Sequence, residues 1–116
     1  MASPVATYKH AGDVVDYTPS SAVAVGDVVV QGELVGVAQH AIAANALGAL
    51  TVKGVFDFPK ATGGGTAIAG GVKVYWDVSE QVAKTDDESG ANKLIGKSVP
   101  SGAGDNDATV RVRSSQ

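Results

Sequence analysis

Apolar and polar positions alternate in short runs along this chain, and glycine-bearing turns separate the runs. The longest alternation covers residues 50–58, where Leu50, Val52, Gly54, Phe56 and Phe58 share one face and Thr51, Lys53, Val55 and Asp57 the other. A period of two marks a half-buried strand. Pro59 has no N–H for the next ladder bond and predicts the strand's end. The same reasoning predicts strands over residues 14–17, 27–31, 34–38, 72–76, 94–99 and 109–113. In the last, Val110 and Val112 turn inward while Arg111 and Arg113 turn outward. The predicted core is Val52, Phe56, Phe58, Val74, Leu94, Val110 and Val112. Helix has one place to form, the Ala-rich stretch 39–47, and Asn45 and Gly48 limit it to a single turn. Residues 62–71 (TGGGTAIAGG) read as a flexible loop, 85–92 (TDDESGAN) as a polar hairpin tip and 101–107 as a Gly and Asp turn.

A faint repeat runs through this pattern. Residues 24–30 (AVGDVVV) resemble 69–75 (AGGVKVY), and each segment is followed by a Leu-aliphatic-Gly step, at 34–36 and 94–96. A turn-rich spacer and another alternating strand come next, at 50–52 and 110–112. Two similar β units packed face to face, each too small to bury its apolar face alone, would give this pattern. Chance similarity in so Val-rich a chain would give it equally well.

Composition narrows the fold class. The 19 Val and 18 Ala outnumber 4 Leu and 3 Ile, and 15 Gly punctuate 116 residues. That is strand-and-turn usage, not helix-bundle usage. The length fits one domain, placed at residues 13–116 behind an extended N-terminal arm, residues 1–12, that has no apolar period of its own. It excludes a barrel of eight βα units or a complete dinucleotide-binding fold, which need roughly 200 residues or more. A net charge of −3 with only nine basic residues argues against nucleic acid as the partner. There is no Cys. No run of apolar residues is long enough to cross a bilayer, and the first residues lack a secretory signal pattern, so synthesis in the cytoplasm and no membrane association are expected.

Candidate chemistry adds little. The segment GANKLIGKS (residues 90–98) approaches a phosphate-binding loop, but five residues separate Gly90 from Gly96, Ala91 stands where a glycine is needed, and a turn follows in place of a helix. His10 and His40 lie near no nucleophile pattern and read as surface residues. Asp86, Asp87 and Glu88 lack the alternate spacing of a calcium loop and read as a solvated tip. Lys97, Arg111 and Arg113 form a small basic strip whose ordinary reading is a soluble strand face. No catalytic residue, metal site or cofactor is expected. Tyr75 and Trp76 are adjacent on one strand and must point to opposite faces, so one ring should face away from the core or into an interface.

Several segments in order, GDVV (12–15), VGDVVVQGELVGVA (25–38), VKGVFDFPKATG (52–63), GGVKVYWD (70–77), LIGKSV (94–99) and TVRVR (109–113), resemble a family of short tailed-phage and prophage proteins. GVFDFPKATG and KVYWD are the most specific of them. The family, once described as recombinase-like, is regarded as capsid cement or decoration proteins. The resemblance implies an all-β domain, a small β-barrel or β-tulip-like sandwich of short strands, on the outer surface of an expanded shell. It implies the major capsid protein as partner, a homotrimer on the capsid, and a place in the virion after synthesis in a bacterial host. It implies no enzymatic activity. The contact residues expected on this reading are Val5, Tyr8, Lys9 and His10 of the arm, with Tyr75 and Trp76. The competing expectation is a stand-alone β-barrel binding module for a sugar, peptide or nucleic acid.

Overall fold

The computed structural model of the chain describes residues 6, 9 and 12–115. Among them are nine strands: β1 (Val14–Tyr17), β2 (Val28–Gln31), β3 (Leu34–Val37), β4 (Gly48–Thr51), β5 (Gly54–Pro59), β6 (Lys73–Asp77), β7 (Val82–Lys84), β8 (Lys93–Ser98) and β9 (Thr109–Ser114). They form two antiparallel sheets, ordered β1-β4-β3-β2 and β5-β9-β8-β6-β7. The all-β sandwich expected from the sequence is what the chain adopts. The barrel form is corrected: a single parallel bridge from Lys60 to Ala83 ties the β5 edge toward β7 without closing the second sheet.

The repeat in the sequence is a repeat of topology. Strands β1, β2, β3 and β4 occupy the same order in the first sheet as β5, β6, β8 and β9 in the second, which adds β7. Each unit also carries an isolated antiparallel bridge ahead of its second strand, Val23 to Ile42 and Ile68 to Ala103. In each, a glycine N–H closes the entry to that strand, Gly26 on the Ala38 carbonyl at 2.7 Å and Gly71 on the Ser98 carbonyl at 3.0 Å.

The predicted strand over 50–58 is two strands, one in each sheet. The chain changes sheets at Val52 and Lys53, helped by Gly54 at φ +148°, a conformation that side chains with a Cβ disfavour. The crossover is pinned on both sides. The Val52 N–H donates to the Asp13 carbonyl at 2.9 Å, and the Ser114 hydroxyl donates to the Val52 carbonyl at 3.2 Å. Periodicity cannot see such a break, because alternation continues through it.

The core belongs mainly to the second sheet. Phe58, Val74, Trp76, Ala83, Ile95, Val110 and Val112 bury together, and Val35 and Val37 of β3 complete the cluster from the first sheet. Phe58 sits between two rings, Phe56 at a centroid distance of 6.1 Å and Trp76 at 6.0 Å. Of the predicted core, Val52, Phe56 and Leu94 are only half-buried. A register shift between Val74 and Tyr75 turns Ile95, not Leu94, into the interior. β7, at three residues, is too short to show a period. It lies on the far side of β6 from β8, so residues 85–92 cross over β6 rather than tip a hairpin. The loop expected to be flexible is held in place. The Asp105 carboxylate accepts from the Thr66 and Ala67 N–H groups, and the buried Lys60 ammonium donates to the Ala61 carbonyl at 2.7 Å and the Thr66 hydroxyl at 3.2 Å.

Candidate functional site

The segments that carry the family resemblance most specifically, GVFDFPKATG and KVYWD, build the core and its flanks. β5 contributes Phe56 and Phe58, and β6 contributes Val74 and Trp76. Adjacent side chains on a strand point to opposite faces, and Tyr75 and Trp76 obey that rule. Trp76 is 2% exposed and its indole N–H has no partner among the described residues. Tyr75 is half-buried on the other face. Of the pair, Tyr75 is the less buried ring. In the arm, Lys9 is exposed, whereas Val5, Tyr8 and His10 lie outside the described residues.

The outer face of the second sheet is organised by charge. Arg111 on β9 lies opposite Asp57 on β5, and its guanidinium reaches both carboxylate oxygens at 2.9 and 3.2 Å. That hydrogen-bonded guanidinium holds the Asp57 carboxyl below its ordinary value. One row along, Lys73 of β6 pairs with Lys97 of β8, Lys97 with Arg113 of β9, and Arg113 with Val55 of β5. Lys73, Lys97, Arg113 and Val55 are all exposed. None of the three cations has an ion-pair partner among the described residues. Beside Lys97 and Arg113 lies a depression of about 490 Å³ whose floor includes Val99 and Pro100. The basic strip read from the sequence therefore gains Lys73 and loses Arg111 to Asp57. Only strand register, not sequence, could show which charge faces which.

A second charged cluster sits at the β6–β7 turn. The Lys84 ammonium lies 2.9 Å from Asp77, 2.6 Å from Glu80 and 3.4 Å from Glu88. Hydrogen bonding from Lys84, and then from the Glu80 N–H, lowers the buried Asp77 carboxyl from 3.8 to about 2. These carboxylates are close enough together to suggest a cation site, and the cation they hold is the protein's own lysine. Asp86 and Asp87 accept from the N–H groups of Glu88 and Ser89 and so cap their own turn. In the segment that resembles a phosphate loop, residues 93–98 form β8, and a turn closed by the Gly102 N–H on the Val99 carbonyl follows. His40 is exposed. No helix among the described residues is long and apolar enough to cross a membrane.

The two like-ordered sheets carry, in β5 and β6, the segments on which the family resemblance chiefly rests. Comparison with known families agrees: the phage cement protein family matches residues 9–114. The chain belongs to the phage cement protein family. Membership implies association with the phage capsid and a place in the virion, and it covers every strand of both sheets. No curated protein and no solved structure matches the chain.

Proposed function

We propose that this phage cement protein binds the outer surface of the expanded major capsid protein lattice and stabilises the head against internal pressure, without catalysing a reaction. The observation that carries this reading is the family match, which spans both sheets from residue 9 to residue 114. Packaged DNA pushes shell subunits apart, so a protein that binds the assembled lattice more tightly than free subunits stabilises the lattice by linkage. On the shell it acts as a homotrimer. Joining three modest contacts makes the later ones intramolecular, and the combined affinity exceeds each by roughly two orders of magnitude or more. The domain at residues 13–116 supplies a stiff body. The arm at residues 1–12, with Val5, Tyr8, Lys9 and His10, supplies an anchor that adds backbone hydrogen bonds to a sheet edge of the capsid. Tyr75 is the aromatic contact of the body, and Trp76 acts from within by holding β6 in place.

The test is co-sedimentation with expanded capsids lacking the protein, paired with light scattering of the free protein. Intact protein should sediment with the shells and raise the temperature at which they rupture. Deleting residues 1–12 should weaken sedimentation severely and leave the melting temperature of the free domain little changed. Equal binding by the truncated form would remove the arm as anchor. Failure of the intact protein to bind would overturn the capsid-binding reading itself.

A further inference from the structure

We infer that the row Lys73–Lys97–Arg113, with Val55 at its end, is a docking surface for a carboxylate-rich protein surface, and that on the shell this is the patch that meets the capsid subunits. The inference rests on the capsid-binding reading above. Three like charges directly opposite one another across adjacent strands destabilise a sheet, yet the chain sets them side by side on β6, β8 and β9. The usual reason for strand lysines, blocking an exposed sheet edge, does not apply. β6, β8 and β9 are interior strands, and the edges of this sheet are β5 and β7. Four cations elsewhere in the protein have a carboxylate partner, and the buried Lys60 ammonium is held by the Ala61 carbonyl and the Thr66 hydroxyl. Lys53 meets Asp13 at 4.0 Å, Lys84 meets three carboxylates, Lys93 meets Glu33 at 3.1 Å and Arg111 meets Asp57. The contrast is sharpest on β9, where Arg111 has a cross-strand carboxylate and Arg113, two residues along the same face, has a lysine on one side and a valine on the other.

The repulsion within the row is relieved when a partner brings negative charge. At about 4.8 Å between strands the three cations span roughly 10 Å, the footprint of a few carboxylates. Nucleic acid fits less well. Affinity for a duplex comes mainly from Lys and Arg that neutralise phosphates, the row offers three cations, the chain carries a net charge of −3, and Asp57 stands on the same face. The apolar neighbours also favour protein. Val55 is 56% exposed at the end of the row, and Val99 and Pro100 line the depression beside Lys97 and Arg113.

The experiment compares intact protein with the triple variant Lys73→Gln/Lys97→Gln/Arg113→Gln and with Lys53→Gln/Lys93→Gln, which removes positive charge off the row. Each is titrated onto expanded capsids lacking the protein, at low and at high salt. The triple variant should bind roughly tenfold more weakly at low salt and lose most of the salt dependence. The off-row variant should bind like the intact protein. Melting should occur at the same or a higher temperature in the triple variant, because repulsion has been removed. The single variant Lys97→Glu should shift binding in the same direction and gives a second reading should the triple variant fold poorly. Intact binding by both row variants would overturn the inference and leave the capsid-binding reading standing, whereas failure of the intact protein to bind would take down both. Retention of the intact protein by a short DNA duplex, lost in the triple variant, would overturn the choice of a carboxylate partner.

Discussion

The two sheets share a strand order but differ in how they are held. The first is built from four-residue strands, and several of its apolar side chains stay in solvent: Val14 is 40% exposed, and in its turns Val25 and Leu47 are 65% and 72% exposed. The second has three six-residue strands and an aromatic centre where Phe58 and Trp76 are both almost wholly buried. Val35 and Val37 of β3 reach across to that centre, so the first sheet borrows part of its core from the second. A repeated topology therefore does not mean repeated energetics. Burial is roughly proportional to apolar area removed from water, and the second unit has the large side chains with which to do it.

Truncating one buried residue in each sheet should separate their contributions to stability most strongly. Phe58→Ala should lose about 3–5 kcal/mol of unfolding free energy in a denaturant titration, as expected for a buried ring in close contact with two others. Leu50→Ala in β4 should lie at the low end of the range of about 2–5 kcal/mol for a buried leucine. Equal losses would mean that the two sheets share stability evenly. Phe56, read from the sequence as core, is half-buried and should cost less than Phe58.

How far the sequence carried the fold is visible at those same residues. Alternation placed Val110 and Val112 inside and Arg111 and Arg113 outside, because one face of β9 is wet and local period is then enough. It failed at residues 50–58, where the alternation is continuous but the chain changes sheets at Val52 and Lys53. It also failed at Leu94, because a bulge is decided by the partner strand and leaves no mark on the bulged strand's own pattern. The family resemblance was legible for a related reason. Its most specific segments are those that pack Phe56, Phe58 and Trp76, so they report the fold and say little about contacts. The cation row was only partly legible. Lys97 and Arg113 look like ordinary surface charge until register brings Lys73 beside them and Asp57 beside Arg111.

Hydrogen exchange reads the difference between the sheets at a smaller energy scale. Amides of the interior strands β8 and β9 should exchange only through global unfolding, and those of β1 and β2 through local opening of lower free energy. β1 pairs only with β4, and β2 only with β3, so each is an edge with little burial behind it. Protection of β1 equal to that of β9 would show that the sheets open as one unit.

The smallest effects separate two kinds of ion pair within the second sheet. Asp57 and Arg111 are both substantially exposed, with side chains at 47% and 61%, and Arg111→Ala should leave stability little changed. Asp77 is different, since it is buried and receives both the Lys84 ammonium and the Glu80 N–H. Its carboxyl titrates near 2 in the folded chain against 3.8 ordinarily. A carboxyl whose folded value is depressed stabilises the fold fully above the unfolded value, and that contribution drains away as pH falls through the folded one. The intact protein should therefore lose stability progressively as pH drops from about 4 toward 2, and Asp77→Asn should flatten that part of the profile while leaving the slope contributed by Asp57 in place. Denaturant titrations at several acidic pH values read this directly. A variant profile parallel to that of the intact protein would show that the lysine at the β6–β7 turn is held by Glu80 and Glu88 alone.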